Sequence, residues 1–191
     1  MEEIDYIIGC LCRGISILEK SREFADIIPE VGTNVVFSIK NPQTTYDIVA
    51  IPGRIRKIRG YPKAHERPER GASDHLARFI LEIRKYDNTI RSAINFGYNE
   101  RIAEVLKIYA KNKGYRIGMV DRRKEPEDIK NIDGASMPWK VKKTIDYAGG
   151  VPRIKCEFGG EGKEDLSLLL GNDPVEIVKE SILIAKMVKN S

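Results

Sequence analysis

Glutamine is almost missing from this chain: Gln43 is the only one. Histidine is nearly as scarce, so any imidazole chemistry must come from His65 or His75. Cysteine occurs three times, as Cys10, Cys12 and Cys156. Three thiols cannot close a disulfide framework, and Cys10/Cys12 has neither the spacing nor the second pair of a zinc knuckle. All three are therefore expected as buried or inert thiols. Aromatic residues reach only 7%, and no zinc finger, RNA-recognition signature or basic heptad region is present, which argues against nucleic acid as a partner. No apolar run approaches the ~20 residues of a membrane span. Glu2, Glu3 and Asp5 give the N-terminus the wrong charge for a signal or transit peptide. A soluble, cytoplasmic protein with no membrane partner is expected.

What is present suits one globular domain. The 191 residues are 41% hydrophobic, enough for a core without disulfides. Charged residues make up 32%. Abundant lysine and glutamate with scarce side-chain amides fits a thermophilic source, and a melting temperature above about 60 °C is the check. The net charge of +5 is concentrated between residues 54 and 70. There Arg54, Arg56, Lys57, Arg59, Lys63, Arg67 and Arg70 face only Glu66 and Glu69, so this stretch carries the whole excess. Such a cluster either recruits an anion or is a solvated hairpin with charged edges.

Hydrophobic spacing divides the chain into alternating elements. Ile4, Ile7, Ile8, Leu11, Ile15 and Leu18 predict an amphipathic helix over 3–20, broken at Pro29–Gly32. Strands are predicted over 34–39, 47–51 and 54–59, the last stopped by Gly60 and Pro62. Ser73 or Asp74 caps a helix carrying Leu76, Phe79, Ile80 and Ile83. A strand at 93–96 precedes a helix capped by Asn99 and ended at Gly114. A strand over 115–120 runs into the charged turn 121–126. Pro138-Trp139 opens a helix to about Tyr147. Strands over 152–158 and 166–170 flank a glycine-rich loop, and Asp173-Pro174 starts a final helix. Several strand-to-strand links are too short for helical crossovers, which predicts an α/β sandwich with a mixed sheet. A helix and linker over 1–28 precede a domain over 29–191, one compact unit in all.

Three segments can carry anion chemistry. Gly159–Lys163 fails the GxxxxGK[ST] phosphate-loop pattern because Glu164 follows Gly162-Lys163, so it is either a plain turn or a flexible backbone from which Lys163 reaches a phosphate. Gly71-Ala72-Ser73-Asp74-His75 opens a helix, where free N–H groups and the helix dipole favour an anion and His75 falls in the first turn. Asp121-Arg122-Arg123 follows a strand directly, as a ligand-facing turn or a solvated one.

Taken together and in order, "TNVVFSI", "DIVAIPGRI", "GASDHLAR", "YDNTIRSAINFGYNE", "GMVDRRKEP", "ASMPW", "GGVPRIKCEFGGEGKE" and "LLGNDPVEIV" resemble the ThiN-type thiamine-phosphate synthase domain from about Pro29 to Val178. The resemblance implies a three-layer αβα sandwich with a mixed, largely antiparallel sheet, like aldolases and epimerases. It implies synthesis of thiamine phosphate from hydroxymethylpyrimidine diphosphate and hydroxyethylthiazole phosphate. Synthase members carry an arginine in PGRI and a histidine in GASxH, absent from regulator versions that only bind the product; here they are Arg54 and His75. Substrate binding is expected at Gly71, Ala72, Ser73, Asn95, Arg122, Arg123, Met137 and Lys163, with the thiazole phosphate met by Lys163, Arg122 or Arg123. Mg²⁺ is expected mainly through the substrate diphosphate, with Asp47 and Asp121 the candidate protein ligands. The partners implied are small phosphorylated molecules; a homodimer and fusion to a kinase domain are both left open. Asp74 stands where many members have Ser, and Glu164-Asp165 replaces Glu-Pro.

Overall fold

Successive side chains on a strand point to opposite faces, and here the two sets enter different cores. Val35 and Phe37 join one apolar cluster and Val36 the other; Ile94 and Phe96 part from Ala93, and Leu169 from Leu168 and Leu170, in the same way. Strands buried on both faces read as continuous apolar runs, as these do. The computed structural model describes residues 2–130, 132, 134–160 and 162–191. Its elements are α1 (Glu3–Leu18), α2 (Arg22–Ala25), β1 (Val35–Ser38), β2 (Ile48–Ala50), β3 (Ile55–Ile58), β4 (Tyr61–Ala64), β5 (Glu69–Arg70) and α3 (Asp74–Ile83), then β6 (Ser92–Gly97), α4 (Glu100–Lys113), β7 (Ile117–Asp121), α5 (Glu127–Lys130), α6 (Ser136–Ala148), β8 (Ile154–Phe158), β9 (Leu166–Gly171) and α7 (Pro174–Asn190).

The main sheet runs β5-β2-β1-β6-β9-β8-β7. Every neighbouring pair is antiparallel except β7 and β8, which α6 connects as a crossover. Helices α1, α4 and α7 cover one face through Ile7, Leu11, Leu18, Ile102, Val105, Ile177 and Val178. Helices α3 and α6 cover the other through Leu76, Phe79, Ile80, Ile83, Met137 and Val141. This is the three-layer sandwich with a largely antiparallel sheet. Helix α1 packs on α7 and the sheet, so its apolar stripe belongs to the same core as the rest. Among the described residues no helix is long and apolar enough to cross a membrane.

Local signals set the helix ends. Asn99 Oδ1 accepts from the Ile102 N–H at 2.9 Å, and Gly114 leaves α4 in the left-handed region. Asp173 Oδ1 accepts from Val175 and Glu176 N–H at 2.7 and 3.0 Å, with Pro174 in the first turn of α7.

Four expectations change. The strand predicted over 54–59 is Ile55–Ile58, and it pairs with β4 in a separate ribbon. Pro62 lies inside β4 rather than stopping a strand, tolerable because both strands of a two-stranded ribbon are edges. The turn is Arg59-Gly60, with φ of 50° and 81°, between paired Ile58 and Tyr61, the left-handed pair that a two-residue hairpin needs. Helix α6 starts at Ser136, ahead of Pro138. Cys12 is exposed, because it falls on the outward side of α1 beside buried Leu11, whereas burial pushes the Cys156 thiol up to about 12.

Candidate active site

The antiparallel registers bring the carboxyl ends of β6 and β8 to the amino ends of β1 and β9: Gly97 pairs with Leu166, Glu157 with Leu166, and Val35 with Ile94. A cleft of about 220 Å³ opens at this end of the sheet. Arg54, Ser73, His75, Asn95, Arg122 and Lys163, all named from the sequence, line it.

Arg54 follows Gly53, and both adopt positive φ, 65° and 66°. A non-glycine residue there costs about 1–2 kcal/mol and is worth a functional explanation. Its guanidinium donates to the Val31 carbonyl, fastening segment 29–32 at the cleft mouth. Gly32 permits this approach: a Cβ there would come within 3.3 Å of Arg54 Cβ. The rest of the basic cluster lies elsewhere. Arg56 donates to the Glu30 carbonyl, Lys57 pairs with Asp26, Lys63 with Glu19, and Arg70 with Asp47. Apart from Arg54, this stretch is a solvated ribbon and its flank.

Ser73 is the N-cap of α3, but its hydroxyl makes no cap bond. His75 is the second residue of that helix and keeps an exposed surface toward the cleft, with protein around its other sides. Burial, followed by the repulsion of Lys140, lowers its pKa to about 4, with Lys155 and Arg122 adding to the effect and Glu157 opposing it. At neutral pH the free protein holds His75 uncharged.

The cleft floor is ionic. Lys140, Lys155 and Glu157 are 2%, 1% and 6% exposed. Lys155 bonds one Glu157 oxygen, while Lys140 Nζ lies 3.4 Å and Arg122 Nε 3.6 Å from the other. Arg122 also reaches Glu125 at 3.4 Å. Burial alone would raise the Glu157 pKa, but Lys155 and Lys140 hold it well below the usual carboxylate range. Burial lowers Lys140 to about 8, against the pull of Glu157. Among the described residues Lys140, Lys155 and Arg122 outnumber Glu157 and Glu125, leaving one positive charge in excess beneath the cleft.

The glycine-rich loop is pinned at both ends. The Glu164 carboxylate accepts from Glu30 and Val31 N–H at 2.9 and 3.2 Å, and Asp165 Oδ1 accepts from the Gly159 N–H at 2.6 Å. Asp165, which stands where proline is usual, thus closes the loop. A Cβ on Gly159 would sit 1.8 Å from the Lys163 carbonyl oxygen, so only glycine fits. Glu161 of this loop lies outside the described residues.

Several named residues take other positions. Asn95 borders the cleft, but its amide holds backbone: Oδ1 accepts from the Asn34 N–H at 2.7 Å and Nδ2 donates to the Gly32 carbonyl at 3.0 Å. Gly71 donates its N–H to Ile48, and Ala72 packs on the second core. Met137 is a core residue of α6, 7% exposed. Asp121 grips Arg123 at 2.8 Å, beside the cleft rather than in it. Asp47 accepts from Gln43 and Thr44 N–H and pairs with Arg70. His65 is exposed and outside the cleft.

Neither aspartate is therefore free to hold Mg²⁺ at the cleft, and Glu157 and Glu164 are committed to lysines and backbone N–H groups. Among the described residues no three His, Cys, Asp or Glu side chains group as a metal cage. Among the described residues the donors do not fit a protein-built Mg²⁺ site.

Sequence reasoning missed Lys140, Lys155, Glu157, Glu164 and Asn34. One signal was available for two of them: a central strand covered on both faces must bury whatever it carries, so Lys155 and Glu157 of β8 could not be solvated.

The αβα sandwich is an architecture shared with solved aldolases. The solved L-fuculose-1-phosphate aldolase from Thermus thermophilus matches 94% of this chain and 91% of its own at TM-score 0.52 and 11% identity, a likeness of fold alone. The family described as thiamine-phosphate synthase ThiN matches residues 11–182, and this chain belongs to that family. It is 33% identical to thiamine-phosphate synthase ThiN of Methanothermobacter thermautotrophicus, covering 93% of this chain and 92% of the relative. It is 34% identical to the bifunctional thiamine biosynthesis protein ThiDN of Methanocaldococcus jannaschii, spanning 95% of this chain but only 41% of that protein. The solved C-terminal domain of a phosphomethylpyrimidine kinase matches at TM-score 0.88 and 35% identity over 97% of this chain and 100% of its own.

Proposed function

We propose that this chain makes thiamine phosphate from hydroxymethylpyrimidine diphosphate and hydroxyethylthiazole phosphate, releasing diphosphate. Family membership supports a role in thiamine biosynthesis. The observation that carries the reaction is the ionic floor, one cation in excess, beneath a cleft rimmed by Arg54 and Lys163. A buried charge without a counterion is unfavourable, and a bound anion relieves it.

In the proposed step the bond between the pyrimidine's exocyclic methylene and the diphosphate oxygen breaks, and its electron pair leaves on that oxygen. The methylene becomes cationic, and the thiazole nitrogen lone pair forms the new C–N bond. Charge grows on the departing oxygen, so donors fixed there lower the barrier. Arg54 offers a planar fork matched to phosphate oxygens. The uncapped amino end of α3 adds its dipole, and the diphosphate draws a proton onto His75. Leu166 and Leu168 provide an apolar wall for the pyrimidine ring. Mg²⁺, if required, arrives on the diphosphate. The resemblance to a domain of a bifunctional protein supports fusion to a kinase that supplies the pyrimidine substrate.

Incubation of the purified chain with both substrates and Mg²⁺ at elevated temperature should yield thiamine phosphate by mass spectrometry. No product, together with tight thiamine phosphate binding, would instead favour a sensor that holds the product without making it.

A further inference from the structure

Arg122 and Lys163 line the cleft on one side and a second recess of about 430 Å³ on the other. Arg123, Glu125, Lys130, Ser136 and Gly160 complete its described lining, which contains no aliphatic or aromatic side chain. Two buried polar atoms here lack hydrogen-bond partners, Glu125 Oε1 and Ser136 Oγ; Arg122 Nε makes no hydrogen bond either, but it faces Glu157 at 3.6 Å. A buried polar group without a partner is costly, and their grouping calls for a ligand. The Glu125 side chain is 3% exposed. One of its oxygens orients Arg122, and the other is an acceptor suited to a protonated phosphate oxygen.

Ser136 opens α6, a 13-residue helix with no side-chain cap and no acid in its first turn. Helices α4 and α7 have both. Arg123 and Lys130 are engaged by Asp121 and Glu127; among the described residues Arg122, itself held by Glu125 and Glu157, and Lys163 are the cations that line both spaces.

We propose that this recess is the monophosphate subsite for the thiazole substrate, with Ser136 a hydroxyl donor and Arg122 and Lys163 the partition between the two substrates' phosphates. This rests on the reaction proposed above. An enzyme joining two phosphorylated molecules must hold two anions close together, and cations placed between them remove the repulsion. The recess, whose described lining side chains all carry polar or charged groups, takes a phosphate tail and leaves the thiazole ring at the partition. The cleft, with its leucine wall, takes the pyrimidine.

Ser136→Asp places a carboxylate in the recess at a helix position where an acid is otherwise favourable, so the fold should persist. The Michaelis constant for hydroxyethylthiazole phosphate should rise about tenfold or more, and that for the pyrimidine diphosphate by less than about twofold. Ser136→Ala should give the same selectivity with a smaller rise, and it decides the matter if the aspartate variant fails to fold. Calorimetric titration of hydroxyethylthiazole phosphate should weaken alike, while unphosphorylated hydroxyethylthiazole binds both variants as it binds the parent. Equal rises for both substrates, or no change, would overturn the subsite. Absence of thiamine phosphate synthesis by the unaltered chain would overturn the reaction alone, since the titrations still decide the recess.

Discussion

Arg54→Ala should lose about 10²–10³-fold in turnover, or about 2.7–4 kcal/mol of transition-state stabilisation, as expected for removing one donor aimed at developing charge. Lysine at this position should rescue only part of it, because an ammonium lacks the planar fork. The backbone supplies a sharper test. Arg54 sits at φ 65°, strained for any residue with a Cβ. Arg54→Gly relieves that strain and should keep or raise the melting temperature while abolishing most turnover, provided the lost bond to Val31 costs no more than the strain returned. A variant that stays folded, loses catalysis and gains stability cannot owe its loss to unfolding. Near-full turnover in folded Arg54→Ala would reduce Arg54 to a fastener for segment 29–32.

His75→Gln and His75→Ala should both lose most turnover and keep their melting temperatures, with His65→Ala close to the parent. The pH dependence separates two groups. In the free protein His75 titrates near 4 and Lys140 near 8. A bound diphosphate adds negative charge beside His75, which favours its protonated form and raises its pKa in the complex. Turnover at saturation should therefore fall as pH rises through that raised value, and His75→Gln should remove this limb. The specificity constant, which reports the free protein, should show a separate loss above about pH 8 as Lys140 gives up its charge, and His75→Gln should retain it. A folded His75→Gln with normal turnover would eliminate the acid role.

The two residues at the centre of these tests were legible for different reasons. With only two histidines in the chain, a catalytic imidazole had few places to be, and the glycine-led helix start put His75 beside free N–H groups. Arg54 stood out within a dense basic run, yet that run misled as a whole: one member reaches the cleft, while Lys57, Lys63 and Arg70 pair with acids at the surface. Surface pairs of this kind contribute little, so nothing local distinguishes them from a binding cluster. The metal candidates have other partners in the fold. Asp47 precedes β2 and Asp121 ends β7, positions where ligands often stand, but their short side chains are taken by neighbouring N–H groups and by arginines.

The sequence by itself determined the succession of helices and strands, because period, caps and turn residues act over a few positions. Asn99, Gly114 and the Asp173-Pro174 pair set helix ends by contacts within one turn, and the unbroken apolar strands announced a sheet covered on both faces. Strand order, and hence the site, was decided only in three dimensions. Glu157 meets Lys140 from another element, Glu164 reaches back to Glu30 and Val31, and Arg54 joins His75 through a loop and a helix start. These meetings depend on which strands lie side by side, a long-range outcome that no local spacing encodes. The charge left over beneath the cleft is a sum over residues that only the fold brings together.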